Sequence, residues 1–477
     1  MIATLAAASA FAADVPLWNR FEIQLESASE YADPLRDVNV SAEFVSSSGK
    51  KHNRPGFWDG GKSWKIRFAP DEAGEWKYTT RCSNEADAAL HAKSGSFKCV
   101  LYAGTNSLFK HGTLKLSDDR LRLLHADGRA FFWLACTGWN GALNSDDKSW
   151  TDYIADRRAK DFTAVQFVTT QWRTADTDRD GQAAFSGQEK IGINPKFYQR
   201  MDKKFDALND GGLLAAPVLL WALPSKRKGL VTPGHDLPES EAILLARYQV
   251  ARFGAHHVLW ILAGDGNYNA DKSEKWKRIG SAVFADDHSR PVAMHCGGQH
   301  WPIEEFRKEK WFDVAGYQSG HGSSDGNLRW LTSGPPAANW NKEPRACVIN
   351  MEPNYEAHLS YQTKKPISDF EVRRAAYWSC LISPTTGVTY GGHGIWGWDV
   401  NDKVAPPVDH PYTGDAQPWR IAKDLPGAQQ MKHVHALFGS IEWWRLFPAQ
   451  ELLADQPGKT APAKFIAAAR TDDGSAA

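Results

Sequence analysis

Eight apolar runs, each of strand length and most of them separated by an amphipathic helical stretch, constrain this sequence more than any other feature. They are Phe131 to Trp139, Phe162 to Thr170, Leu213 to Trp221, His257 to Asp265, Pro291 to Gly298, Phe312 to Ser319, Arg345 to Glu352 and Gly387 to Trp398. Continuous apolar runs suit strands buried on both faces, and parallel strands need a crossover, usually helical, between them. Helical patterns fall at Trp150 to Lys160, Pro195 to Asn209, Glu239 to Phe253, Glu274 to Phe284 and Asp369 to Leu381. Fainter ones surround Glu304 and Leu328, and a last helix near Met431 to Trp444 would close the ring. Eight β/α units predict an α/β fold of the (β/α)8 TIM-barrel type rather than an open doubly wound sheet. No glycine-rich phosphate loop follows the first run, which argues against a nucleotide fold.

Ahead of these runs the apolar period is two. Val38, Val40, Ala42 and Phe44 alternate, as do Trp64, Ile66 and Phe68, then Trp76, Tyr78, Thr80 and Cys82, then Phe97, Cys99 and Leu101. Strands of this kind with no helix between them predict an immunoglobulin-like β-sandwich over 15–103, with the barrel domain over 104–446. Cys82 and Cys99 lie on the apolar face of neighbouring strands and are expected to form a disulfide in an oxidising compartment. Cys136, Cys296, Cys347 and Cys380 sit inside apolar runs without metal-ligand spacing and read as buried thiols. Met1 to Ala13 is Ala-rich and ends in Ala10-Phe11-Ala12-Ala13, so 1–14 reads as a signal-peptide-like segment of a secreted or periplasmic protein. Toward the other end, Lys464 to Ala469 reads as a strand and Asp472-Asp473-Gly474-Ser475 as a turn, so 447–477 reads as the beginning of a truncated C-terminal β-sandwich.

Composition narrows the partners. Fifty-six basic residues balance fifty-six acidic ones, which leaves no electrostatic field for nucleic acid, and no stretch is long and apolar enough for a membrane span. Tryptophan is abundant, with 21 residues, and indole faces at strand ends can stack on sugar rings while their N–H groups bond hydroxyls.

In such a barrel, polar residues at the carboxyl ends of strands face the active site. The fourth run ends in Gly264-Asp265-Gly266-Asn267 and the seventh in Glu352-Pro353-Asn354-Tyr355-Glu356, which brings two carboxylates to the mouth from opposite sides. Cleavage of a glycosidic bond needs one carboxylic acid to protonate the leaving oxygen and one carboxylate to attack the sugar carbon or activate water against it. Asp265 and Glu352 are therefore the expected catalytic pair, with Glu356 the reserve for the second position. Other strand ends offer sugar contacts: Trp139 and Asn140, Gln171 and Trp172, Trp221, Gln318 and His321, Tyr355 and Glu356, and Tyr390, His393, Trp396 and Trp398. Asp176-Thr177-Asp178-Arg179-Asp180-Gly181 has the first half of a calcium loop, but Gly187 stands where a bidentate Glu belongs, so it reads as a plain acidic turn and no metal is required. The histidines lack the spacing of a zinc hydrolase, and no nucleophile-elbow motif is present.

Read in order, Trp18-Asn19-Arg20-Phe21-Glu22, Trp260-Ile261-Leu262-Ala263-Gly264-Asp265, Gln318-Ser319-Gly320-His321, Glu352-Pro353-Asn354-Tyr355-Glu356 and Thr389-Tyr390-Gly391-Gly392-His393 resemble the apiosidase-like glycoside hydrolases over nearly the whole chain. That resemblance implies an exported bacterial enzyme with an N-terminal sandwich, a barrel of the retaining-glycosidase type and a C-terminal sandwich to which collagen binding has been ascribed. It implies Asp265 as acid/base, Glu352 as nucleophile, and an oligo- or polysaccharide of the plant or algal cell wall as substrate, pectin with terminal apiose among them. Ala263 departs from the family, where Gly-Gly-Asp is more usual. The alternative is a catalytically silent carbohydrate-binding or matrix-adhesion protein.

Overall fold

The computed structural model describes residues 14–400, 407 and 410–475, so nearly all of the signal-peptide-like segment lies outside the described residues. The chain divides into two units: one runs to Gly112 and takes in Val250–His256, and the other comprises Thr113–Gln249 and the chain from His257 onward.

The first unit is built from β1 (Val15–Pro16), β2 (Phe21–Glu26), β3 (Val40–Ser46), β4 (Lys51–Gly60), β5 (Ser63–Phe68), β6 (Gly74–Cys82) and β7 (Ser94–Val100), hydrogen-bonded in the order β1-β7-β6-β3-β4-β5-β2. β4 turns the corner of the sandwich, because its residues up to Pro55 pair with β3 and those from Gly56 pair with β5. The alternating residues meet inside: Val40, Ala42, Phe44, Trp64, Ile66, Phe68, Trp76 and Phe97 are all buried in one core. Phe21 stacks on Phe97 at 4.0 Å and Phe44 on Phe68 at 4.4 Å, contacts worth about 0.5–1.5 kcal/mol each beyond the area they bury.

The expected Cys82–Cys99 disulfide is absent, and both residues are buried free thiols. Register is the reason. Cys99 pairs with Gly74 at the start of β6, whereas Cys82 closes the same strand. Eight strand steps at about 3.3 Å separate them by roughly 26 Å, far beyond the ~7 Å that a disulfide spans between Cα atoms.

The second unit is a closed barrel of eight parallel strands: β8 (Trp133–Thr137), β9 (Ala164–Val168), β10 (Leu214–Trp221), β11 (Trp260–Gly264), β12 (Val292–His295), β13 (Val314–Tyr317), β14 (Cys347–Asn350) and β15 (Gly387–Gly392). β15 returns to pair with β8. Every residue of these strands is buried, as the continuous apolar runs require. Closure depends on Gly387, which lies opposite Trp133 with φ 137°; a Cβ there would stand 1.9 Å from the Trp133 carbonyl oxygen. The principal helices are α1 (Asp147–Ala159), α2 (Pro195–Asp210), α3 (Glu239–Phe253), α4 (Asp271–Val283), α5 (Asp325–Ser333), α6 (Asp369–Leu381) and α7 (Pro426–Gly439). Local chemistry sets their starts. Asp146 caps α1 through the Ser149 N–H, and Ser368 with Glu371 forms a reciprocal capping box on α6, each worth about 1 kcal/mol.

Inside the barrel, polar side chains are laced beneath the mouth. Trp133 Nε1–H donates to Thr389 Oγ1 at 2.9 Å, the Thr389 hydroxyl donates to Gln166 Oε1 at 2.5 Å, and Gln166 Nε2 donates to the Met351 carbonyl at 3.1 Å. Buried polar groups in such a relay are satisfied only in one arrangement, so the relay fixes the residue just before Glu352. After α7 the chain forms an antiparallel pair, Leu446–Pro448 with Ala469–Thr471. The strand expected from Lys464 therefore begins only at Ala469, after a tight turn over Pro462–Lys464.

Candidate active site

A cavity of about 180 Å³ opens at the carboxyl ends of the barrel strands. Of the residues singled out in the sequence, Asp265, Glu352, Trp139, Trp172, Trp221, Gln318, His321, Tyr355 and Trp396 line it. Arg173, Gly298, Gly320, His358, Tyr361, His410, Tyr412 and Thr413 complete the wall.

Trp139, Trp172 and Trp221, from the ends of β8, β9 and β10, form an aromatic wall. The Trp172 and Trp221 rings meet edge-on at 4.3 Å and the Trp139 and Trp221 rings at 6.0 Å. Gly264 makes room for this wall, since a Cβ there would lie 2.6 Å from the Trp221 ring. Asp265 follows with φ 46°, a left-handed conformation that costs a non-glycine residue on the order of 1 kcal/mol or more and turns its side chain sharply out of the strand.

One imidazole ties the two carboxylate-bearing segments together. His295, at the end of β12 and fully buried, accepts the Asp265 backbone N–H at Nδ1 over 3.3 Å, and its Nε2 lies 3.2 Å from Glu352 Oε2. With Nδ1 used as an acceptor, the ring N–H is the one on Nε2, on the side of the carboxylate. His321 Nε2 lies 3.2 Å from the other oxygen, Glu352 Oε1, and His321 Nδ1 lies 3.1 Å from the Pro353 carbonyl. Asp265 Oδ2 accepts from Arg173 Nη2 at 3.0 Å.

These surroundings drive the two carboxyl groups apart. Burial pushes the proton affinity of Asp265 up; Arg173 opposes that push, Glu352 reinforces it, and the result lies above the ordinary aspartate value. Burial also acts against the charge of Glu352, but the hydrogen bonds and fields of His295 and His321 overcome it and hold this carboxyl well below the usual glutamate range. His358, its ring tilted against that of His321 with centroids 4.5 Å apart, is driven down to about 2 by burial and by its histidine neighbours, and stays neutral.

The remaining sequence candidates lie elsewhere. Asn140 is spent on structure: its Oδ1 accepts from Trp172 Nε1 at 2.6 Å and its Nδ2 donates to the Gly397 carbonyl at 3.1 Å. Gln171 staples the following loop through the Phe185 carbonyl and the Ala184 N–H, both at 3.0 Å. His393 donates from Nε2 to the Gly414 carbonyl at 2.8 Å and accepts from Trp396 Nε1 at 3.1 Å, which leaves no nitrogen for a ligand. Trp398 stacks on Trp419 at 4.4 Å. Tyr390 donates to Glu356 Oε2 at 2.6 Å, and Glu356 Oε1 accepts the Gly427 backbone N–H in the first turn of α7 at 2.7 Å. Glu356 is thereby committed to anchoring that helix. The acidic turn is spread over arginines: Asp176 pairs with Arg227, Asp178 with Arg200, and Asp180 with Arg179 and Arg200. Among the described residues no cluster of three or more His, Cys, Asp or Glu side chains could hold a metal.

Arg173 and His295 were absent from the sequence candidates. His295 ends the apolar run Val292-Ala293-Met294 and satisfies the same strand-end criterion that selected Asp265. Arg173 sits in a loop, where no periodicity marks it.

Residues 117–445 match the family described as "Apiosidase-like, catalytic domain", and residues 14–83 match a domain of unknown function, DUF5060. No curated protein matches the sequence. Among solved structures, a protein of Bacteroides vulgatus ATCC 8482 superposes with a TM-score of 0.68 at 19% identity, over 90% of this chain and 78% of its own. A glycoside hydrolase family 5 protein of the same strain gives 0.64 at 22% identity, over 76% of this chain and 79% of its own. A third structure, named only as a glycoside hydrolase, gives 0.66 at 22% identity, over 77% and 83%. At these identities the superpositions establish a shared fold, while the family match covers most of the chain and the whole barrel. The chain belongs to the apiosidase-like family and is a glycoside hydrolase.

Proposed function

We propose that this protein acts outside the cytoplasm, secreted or periplasmic, and hydrolyses O-glycosidic bonds of plant or algal cell-wall polysaccharide with retention of configuration. Asp265 is the acid/base and Glu352 the nucleophile. In the first step the Asp265 carboxyl gives its proton to the glycosidic oxygen as the bond to the sugar carbon breaks, and a Glu352 oxygen bonds to that carbon. In the second step the Asp265 carboxylate takes a proton from water, the resulting hydroxide oxygen bonds to the carbon, and Glu352 leaves as the anion. The observation that carries this reading is the opposed setting of two carboxyl groups in one cavity: one is held toward its protonated form by burial, the other toward its anion by two imidazoles. The aromatic wall and the small cavity suit a sugar ring, and the apiosidase-like family points to pectic material with terminal apiose as the first substrate to try.

A hydrolysis screen on pectic and algal polysaccharides tests the activity, with product configuration followed by NMR. Trapping with an activated fluorosugar and mapping the labelled peptide tests the role of Glu352. Binding without turnover across the panel, inverted product, or label on Glu356 would each overturn the corresponding part of the reading.

A further inference from the structure

Among the described residues, Arg173 is the one lysine or arginine that lines the cavity. It follows the indole of Trp172 and lies over the ring of Trp221, with the guanidinium carbon 5.6 Å from the ring centroid. Nη2 donates to Asp265 Oδ2 at 3.0 Å, while Nε is buried and has no hydrogen-bond partner among the described residues. A guanidinium is a rigid fork that remains charged throughout the range in which enzymes work.

We propose that Arg173 is a positioning residue for this reaction: resting on the Trp221 ring and donating from Nη2 to Oδ2, it fixes the orientation of the Asp265 carboxyl and sets a permanent positive charge against it. The inference rests on the acid/base reading of Asp265. An acid that must release its proton in one step and take one back in the next fails if it binds that proton too tightly. Burial and the neighbouring Glu352 carboxylate both press Asp265 in that direction. The other ionisable groups around it are His295 and Cys296 at the end of β12, His321 after β13, Tyr268 after β11 and Tyr361 beyond β14. His295 and His321 are engaged with Glu352, and the buried Cys296 and Tyr268 hold their own protons more tightly than usual. Arg173 is thus the fixed positive charge that touches Asp265 directly.

The decisive measurement does not need a substrate. In protein labelled with 13Cγ aspartate, the Asp265 resonance is identified by its loss in Asp265→Asn and titrated by NMR in wild type, Arg173→Gln and Arg173→Lys, with thermal melts to establish that each variant is folded. In Arg173→Gln the midpoint is expected to rise by roughly 1–3 pH units, the usual influence of an arginine beside an aspartate, and in Arg173→Lys by less. A rise smaller than about half a unit in Arg173→Gln overturns the proposal. On the polysaccharide that wild type hydrolyses, the alkaline limb of kcat/KM should move the same way; an unmoved limb also counts against it. Should wild type hydrolyse nothing in the screen, the proposed function fails, and the titration still decides whether Arg173 controls Asp265.

Discussion

Replacing Asp265 by Asn separates chemistry from architecture. Asn has the same shape and can keep an oxygen toward Arg173 Nη2, whose bond to Asp265 Oδ2 is 3.0 Å. The change weakens one charge-assisted hydrogen bond but also removes the need to bury an anion beside Glu352, so the two effects oppose each other. Stability should therefore stay within about 1 kcal/mol of wild type, typical for a substitution that opens no cavity. The rate should not. Loss of general acid catalysis is worth a factor of roughly 10² to 10⁴, or about 2.7–5.5 kcal/mol in activation free energy. That loss should appear with leaving groups that need a proton, such as a sugar hydroxyl. It should largely vanish in the first step with dinitrophenolate, which departs unaided, so that the glycosyl-enzyme accumulates and shows as a burst. The assay compares wild type and Asp265→Asn on natural and dinitrophenyl glycosides, with azide added to intercept the intermediate. Equal losses on both leaving groups, or unchanged turnover on the natural substrate, would refute the acid role of Asp265.

Three further expectations concern the cavity and the structure that supports it. The pH profile of kcat/KM should be bell-shaped, because activity requires anionic Glu352 and protonated Asp265. Since Glu352 is held low, activity is lost on the acid side only below the usual glutamate value; since Asp265 is held high, it persists above the usual aspartate value and fails as pH rises through the raised one. The same signs apply to stability: Glu352 contributes most above the unfolded value of about 4.3 and loses that contribution on acidification, whereas Asp265 becomes a cost as pH climbs from about 3.9 toward its folded value. Glu356→Gln should lower stability by about 1–3 kcal/mol, because the amide sets an NH2 donor against either the Tyr390 hydroxyl or the Gly427 N–H, while leaving turnover near wild type in assays well below the melting temperature. Tyr361 and Tyr412 expose 42% and 47% of their surface at the cavity mouth; changing both to Ala should raise KM for polysaccharide about tenfold, the loss of a stacking surface, with little effect on small aryl glycosides.

The barrel was legible because burial on both faces writes itself into sequence as uninterrupted apolar runs, and all eight appear as strands. Their carboxyl ends were less legible. The eighth run reads on to Trp398, yet the strand stops at Gly392 and the chain turns away, which is why His393 and Trp398 pack into the scaffold rather than line the cavity. Asp265 and Glu352 could be found by place along a strand. Glu356 could not be distinguished from Glu352 that way, because its role depends on Gly427, seventy-one residues further along the chain. Cys82 and Cys99 show the same boundary: alternation told which face each occupies, and both are buried, but the pairing register that keeps them apart is a property of two strands together. Arg173 carries no local signal, since its significance lies in what it touches across the mouth.

The anchoring of Glu356 by Gly427 has a consequence for how the enzyme comes into being. As the chain leaves the ribosome, the segment bearing Glu352 is made long before α7, and until the Gly427 N–H arrives Glu356 is a carboxylate facing burial with only Tyr390 to meet it. The Glu356 end of that loop therefore gains this anchor only when some seventy further residues have been added. Docking of α7 is thus expected to latch the far side of the catalytic mouth after every barrel strand has been made.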